Sequence, residues 1–298
     1  MNRKIIFLIN PISGTRGKDE LMKLIIKKTN QRKIDFEILP TVADGDYTFL
    51  EAKLQEEGIT KIAICGGDGS VNQVVNSLAH TNMNFGIIPM GSGNGLALCA
   101  GIPRNSDKAI DILFDGTPRY IDAFLVNKQF ACMLCGLGFD ATVAHEFAKH
   151  PKRGLATYAS LTTKNFFSAK AFSFLIEANK LSFSADAFLI SIANSNQFGN
   201  NFTIAPKALL SDGLLDVVIV KKIAKPLLLF TVMRQVLSGQ LRKIENTLHS
   251  PIIYFQTTEL RIKNLQEAPL HIDGEPRETI VELSIKILPN HFKLIHGW

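Results

Sequence analysis

Cysteine is scarce in this chain, four in 298 residues, and the four do not form the pattern that a disulfide framework needs. Cys132 and Cys135 form the only Cys-x-x-Cys pair, and no second pair or histidine-rich segment completes a zinc site. The segment "FACMLCGLGF" therefore reads as a buried strand. The seven histidines are scattered; His145 and His150 lie five positions apart, so they do not share a helical face. Long apolar runs are also missing. The longest, such as "PLLLFTVM" near Leu228, stop far short of the ~18 residues of a membrane span, and only "IIFLIN" separates Lys4 from Pro11, too little for a secretory signal. A folded cytoplasmic protein is the expectation. With four tyrosines, one tryptophan and no dense basic stripe, no nucleic-acid partner is expected.

What is present begins with charge and size. A net charge of +6 and a pI near 9.1 favour anionic partners such as nucleotides or phospholipid surfaces, although most of the lysines read as solvated surface. At 298 residues, 46% of them hydrophobic, the chain can bury two cores. Its first part alternates strand and helix signals. "KIIFLIN", "IDFEILPT", "ITKIAICGGDG" and "FGIIPMGSGNG" read as strands; "KDELMKLIIKKTNQRK", "YTFLEAKLQEEG", "SVNQVVNSLAH" and "NSDKAIDILFDG" read as helices, the last capped by Asn105 or Ser106. Such alternation predicts a Rossmann-like parallel sheet covered by helices. From about Tyr120 short runs rich in β-branched and aromatic residues take over, interrupted by two helical patches, "FDATVAHEFAKH" and "PLLLFTVMRQVLSGQL". The expected boundary puts an α/β domain in 1–122 and a mainly antiparallel β-sandwich in 123–298, with the last residues free to return to the first domain. The active site is expected in the cleft between them.

Glycine-rich turns carry the chemistry. "NPISGTRGK" from Asn10, "GGDGS" from Gly66 and "GSGNG" from Gly91 each follow a strand of the parallel sheet, at the carboxyl edge where such sheets bind ligands. One such turn is weak evidence, because turns need glycine anyway. Three at one edge can surround an anion with main-chain N–H groups and helix N-termini. "GTRGK" lacks the spacing and hydroxyl residue of a Walker A loop, and the Gly-x-Gly-x-x-Ala of "GLGFDA" lacks the ribose-binding acid that a dinucleotide site needs about 20 residues on. Asp68, among glycines, is open to two readings. It is a turn-capping residue, or it faces a phosphate through Mg²⁺, which relieves the repulsion between two anions. Near the other end, "HIDGEP" holds Asp273 and Glu275 around Gly274; flanking apolar runs predict a hairpin turning at Asp273-Gly274, which can also present a carboxylate to an acceptor hydroxyl.

Taken in order, "NPISG", "GGDGSVNQVVN", "PMGSGNGLA" running into "GIP", "GLGFDA", "SDGLLDVVIV" and "HIDGEP" resemble the diacylglycerol kinase catalytic-domain family, which includes bacterial soluble lipid kinases and sphingosine kinases. The resemblance spans nearly the whole chain. It implies an ATP- and Mg²⁺-dependent kinase of a lipid primary hydroxyl, diacylglycerol or a sphingoid base, or a non-catalytic relative that binds nucleotide or lipid. By position it implies that Asn10, Pro11, Ser13, Gly14, Thr41, Gly66, Gly67, Asp68, Gly69, Ser70, Asn72 and Ser92 bind ATP. It further implies that Glu275, with Asp68 and Asp273, is catalytic, and that Asp212 with the carbonyls of Leu209 and Leu214 holds a structural Mg²⁺. In sphingosine kinases the residue matching Asp68 is the proposed base. Many bacterial members carry Glu at Gln73 and Asp at Gly95; "GSGNGLA" is instead similar to the "GSGNALA" of sphingosine kinases. The partner implied is a lipid met at the inner face of a membrane, with a homodimer admitted. The candidate contact surface is Lys149, Lys152 and Arg153 beside Phe166 and Phe167.

Overall fold

The computed structural model describes residues 4–11, 17–151, 154–196, 205, 207–222 and 251–297; the expected helix "PLLLFTVMRQVLSGQL" lies outside them. They divide into two units, Met1–Asp122 with Asn290–Trp298, and Ala123–Pro289. The first contains β1 (Ile5–Ile9), α1 (Lys18–Arg32), β2 (Phe36–Pro40), α2 (Glu51–Glu56), β3 (Lys61–Gly66), α3 (Asp68–Leu78), β4 (Asn84–Pro89), α4 (Gly95–Cys99) and α5 (Ser106–Asp115). β5 (Pro118–Val126) leads out of it. Every residue of β1 is buried, as suits an apolar run with both faces of its sheet covered. α5 begins where its cap is: Asn105 accepts the Lys108 amide at 3.0 Å.

Strand order β2-β1-β3-β4, all parallel, places the site. From β1 the chain moves to β2 on one side, and β3 then docks on the other. The loops leaving β1 and β3 therefore diverge and open a crevice beyond their carboxyl ends, the topological switch point at which open α/β sheets bind ligands.

The second unit continues with β6 (Gln129–Ala131), β7 (Leu134–Gly138), α6 (Phe139–Lys149), α7 (Leu155–Ser168), β8 (Phe172–Ala178), β9 (Leu181–Ala193) and β10 (Leu215–Lys221). It ends with β11 (Ile252–Thr257), β12 (Glu259–Asn264), β13 (Leu270–Ile272), β14 (Glu275–Arg277) and most of β15 (Glu282–Ile295). Pairing is antiparallel, and long β9 serves two layers, pairing first with β8 and then with β7 and β10. Alternate side chains of both layers, among them Leu137, Ile190, Val217, Phe174, Ile262 and Ile285, close into one buried cluster. The helix α7 was not among the expected helical patches. Its Thr162 and Thr163 hydroxyls bond back to the Tyr158 and Ala159 carbonyls, a habit that lowers helix propensity, and packing of Tyr158 edge-on against Phe147 overrides it. Among the described residues no helix is long and apolar enough to cross a membrane.

The C-terminal residues belong to the first unit: Lys293 and Leu294 pair in parallel with Asn84 and Phe85, and the Gly297 amide donates to the Ala100 carbonyl. Here burial, reinforced by nearby Arg119, pushes the His296 imidazole down to about 4. Between its ordinary value of 6.5 and about 4, the unfolded chain takes up a proton that the folded chain does not, so stability is lost as pH falls through that window and levels off below it. The Tm of the wild type is thus expected to fall more between pH 7 and pH 4 than that of His296→Gln; parallel curves would mean that His296 is not held neutral.

Candidate active site

The carboxyl edge of the first sheet is extended one rung by the loops that leave it. Asn10 N donates to Cys65 O at 3.0 Å, Thr41 N to Ile9 O at 3.0 Å and Met90 N to Gly66 O at 2.9 Å. Asn10 is then held by its side chain, whose Nδ2 donates to Ser70 Oγ at 2.8 Å across the switch point. Glycine is required here by contact. A Cβ on Gly66 would lie 2.6 Å from Ser70 Cβ, and one on Gly91 would lie 2.6 Å from Gly67 Cα, so the second and third turns touch backbone to backbone. Asn94, at φ 54°, closes the third turn by accepting the Gly91 amide at 2.8 Å and donating to the Gly91 carbonyl at 2.7 Å.

The helix α3 starts at a residue that has no side chain to cap it. Gly67 occupies the cap position, and the first intrahelical bond is Val71 N to Gly67 O at 3.1 Å, so the amides of Asp68, Gly69 and Ser70 have no acceptor within the helix. That end attracts anions. The Asp68 carboxylate reaches sideways: Oδ2 accepts the Gly95 amide at 3.1 Å and Oδ1 the Leu96 amide at 3.3 Å. Asp68 is thus a cap, but of α4, and it ties the third turn to the second.

Arg104 was not singled out from the sequence; its Nη2 donates to the Gly93 carbonyl at 3.1 Å and puts a cation on the third turn. The signal that could have found it is its place directly after "GIP". Gln73 is exposed and packs under the loop after β2, where a Cβ on Gly45 would lie 3.0 Å from its Cγ. Thr41 starts that loop, which buried Tyr47 pins by accepting the Val42 amide at 3.2 Å. Pro11 and Ser92 are exposed beside these groups, Asn72 is half-buried on α3, and Ser13 and Gly14 lie outside the described residues.

In the second unit, Ile272 faces Glu275 across a two-residue turn in which Asp273 (φ 49°) and Gly274 (φ 81°) both have positive φ, the type I′ hairpin expected of Asp-Gly. Asp273 is 5% exposed, and its carboxylate accepts three main-chain amides: Cys132 at 2.9 Å, Met133 at 3.0 Å and Leu134 at 3.0 Å. That is the work of an anchor, which joins the hairpin to the turn before β7. Glu275, two residues on, is exposed and makes no hydrogen bond or ion pair among the described residues.

Cys135 lies buried in β7, where burial and the charges of Asp140 and Asp273 push its thiol well above the ordinary range. Asp212 is exposed and accepts the Leu214 amide at 3.1 Å, an Asx turn; Leu209 is exposed nearby in the chain. These are oxygen donors of the kind Mg²⁺ takes, although among the described residues no three His, Cys, Asp or Glu side chains gather as a metal cage. On the expected membrane-contact surface, Phe166 is half-buried, with its ring edge-on to Phe139 at 6.3 Å. Lys149 is exposed, whereas Lys152, Arg153 and the Phe167 side chain lie outside what is described.

Residues 4–126 match the family described as diacylglycerol kinase catalytic domain, and residues 134–296 match the YegS C-terminal NAD kinase beta sandwich-like domain. The chain is 28% identical over 275 residues to a diacylglycerol kinase of Bacillus subtilis, covering 90% of this chain and 88% of that one. It is 28% identical over 245 residues to a protein of Chromohalobacter salexigens named for its likeness to the lipid kinase YegS, covering 78% and 75%. A crystal structure of a diacylglycerol kinase from Bacillus anthracis superposes with a TM-score of 0.74 at 19% identity, covering 99% of this chain and 97% of that one.

Contact between the second and third turns yields a steric test. In Gly91→Ala the new methyl meets the Gly67 backbone, so the turns must part; the rise in Tm on adding ATP with Mg²⁺ should disappear. Gly58→Ala is the control. It has φ 60° with nothing within 4 Å, so it should cost about 1–2 kcal/mol of stability and leave that rise intact. Equal ATP responses in both variants would remove the turns from nucleotide binding.

Proposed function

This chain belongs to the diacylglycerol kinase family and is a lipid kinase, and we propose that it transfers the γ-phosphoryl group of ATP to the primary hydroxyl of diacylglycerol, giving phosphatidic acid. The observation that supports this reading most is the meeting of three carboxyl-edge loops at one switch point, with glycine backbones in contact and glycine at the cap position of α3. The first amides of α3 and the third turn hold the triphosphate in this reading, with Arg104 adding a positive charge nearby. Mg²⁺, when bound with the nucleotide, offsets the repulsion between Asp68 and the phosphate oxygens. The acceptor oxygen bonds to the γ-phosphorus as the bond to the β–γ bridging oxygen breaks, ADP leaves, and the hydroxyl proton passes to Glu275. Asp273 holds the turn on which Glu275 sits and takes no proton itself. Because the transition state is loose, positioning and charge contribute more than the base. Asp212 with the carbonyls of Leu209 and Leu214 is proposed to hold a second, structural Mg²⁺, and the enzyme to meet its lipid from the cytoplasmic surface of the membrane.

A second reading is a sphingoid-base acceptor, favoured by one feature: Gly95 stands where many bacterial members carry Asp. A labelled-ATP assay offering diacylglycerol, sphingosine, ceramide and NAD side by side decides the acceptor. Phosphatidic acid as the main product is expected. Sphingosine phosphate would shift the assignment, and phosphorylated NAD would overturn it. In the same assay Asp68→Asn, which keeps one acceptor oxygen for α4, should remain folded and lose nearly all turnover; near-normal turnover would leave Asp68 as a helix cap only. Glu275→Gln should lower kcat by about 10²–10⁴-fold with Tm unchanged. A loss of Tm without loss of kcat would make Glu275 structural.

A further inference from the structure

A buried histidine–aspartate pair lies beside the hairpin that carries Glu275, and the chemistry above uses neither residue. His271 on β13 is 2% exposed and Asp140, in the first turn of α6, is 6% exposed; His271 Nε2 lies 3.2 Å from Asp140 Oδ2. The other ring nitrogen, Nδ1, accepts the Gly274 amide at 3.3 Å. A main-chain N–H can only donate, so Nδ1 carries a lone pair, and the ring proton sits on Nε2, directed at the carboxylate. The second Asp140 oxygen accepts the Ala141 amide at 2.9 Å, and His145 Nε2 donates to the Leu270 carbonyl at 2.9 Å, so α6 and β13 are fastened at two points.

Gly136 makes room for this arrangement. It is the register partner of His271 across β7 and β13, and a Cβ there would lie 2.0 Å from Asp140 Oδ2 and 2.5 Å from His271 Nε2. The glycine of "GLGFDA", which resembles a cofactor loop in sequence, is thus small because the pair occupies its side-chain space.

We propose that Asp140 and His271 are positioning residues for Glu275. The pair selects the imidazole tautomer that receives the Gly274 amide, and so sets the orientation of the turn residue next to Glu275. Asp273 fixes the other turn residue through three amides. With no partner of its own among the described residues, Glu275 takes its placement from these two clamps. A buried polar pair of this kind adds little net stability compared with apolar packing, so its contribution is geometry.

The inference rests on Glu275 as the base, and the experiment separates the two. Asp140→Ala should lower kcat for lipid phosphorylation by about 10²-fold while the KM for ATP stays within about twofold. Asp140→Asn, which keeps an acceptor oxygen for Nε2–H, should recover most of the loss. In a Glu275→Gln background, adding Asp140→Ala should not lower kcat further, although it lowers Tm as much as in the wild type. Asp140→Ser, polar but too short to reach the imidazole, takes the place of Asp140→Ala if that variant does not fold. An equal fold-loss in both backgrounds, or no loss at all, overturns the positioning role. If Glu275→Gln alone keeps full kcat, the base assignment fails, and the inference with it.

Discussion

One carboxylate and one backbone contact join the glycine-rich turns at the carboxyl edge of the first sheet. Asp68, first residue of α3, accepts the two leading amides of α4, and Gly91 lies so close to Gly67 that a Cβ on it would be 2.6 Å from the Gly67 Cα. In the proposed reading the turns hold phosphate through main-chain amides, which cannot adapt as side chains do, so the geometry is only as good as the loops that carry it. Asn10, bonded to Ser70 from the neighbouring strand end, and Asn94, bracing its own turn, extend the same constraint to both sides. The glycines are therefore less a flexible cradle than a rigid one, small because the loops are crowded.

The second unit solves a similar problem with different means. In the proposed reading Glu275 takes the proton of the acceptor hydroxyl, and its exposed side chain has no hydrogen bond or ion pair among the described residues to orient it. Its hairpin is accordingly fastened below, where Asp273 takes three amides and His271 takes one. Of the two acids in "HIDGEP", the buried one holds the turn and the exposed one makes no side-chain hydrogen bond among the described residues.

Much of this was legible in the sequence because it depends on local rules. Alternating periodicity gave the parallel sheet, Asn105 its helix start, and Asp273-Gly274 its I′ turn, since each needs only neighbouring residues. What was not legible depends on partners far along the chain. Asp68 could be a turn cap or a phosphate-facing acid, and nothing nearby in sequence says that its partners are amides 27 and 28 residues away. Asp273 could be read as a turn residue or, from the resemblance, as catalytic, and its three amide donors lie 139–141 residues upstream, beyond any local signal. "GLGFDA" looked like a dinucleotide loop because glycine records that space is needed without recording what fills it. Nor does the sequence show that the Phe166 ring meets that of Phe139, 27 residues upstream.

The central claim is that ATP phosphates bind the open end of α3, and amide hydrogen exchange tests it most directly. Without nucleotide the amides of Gly95 and Leu96, already bonded to Asp68, should exchange slowly, while those of Gly69 and Ser70, which have no acceptor within the helix, should exchange fast. With saturating ATP and Mg²⁺ the amides of Gly69 and Ser70 should become protected and those of 95 and 96 should change little. Gly69 and Ser70 amides that exchange equally fast with and without ATP, while the protein still phosphorylates lipid, would contradict the account.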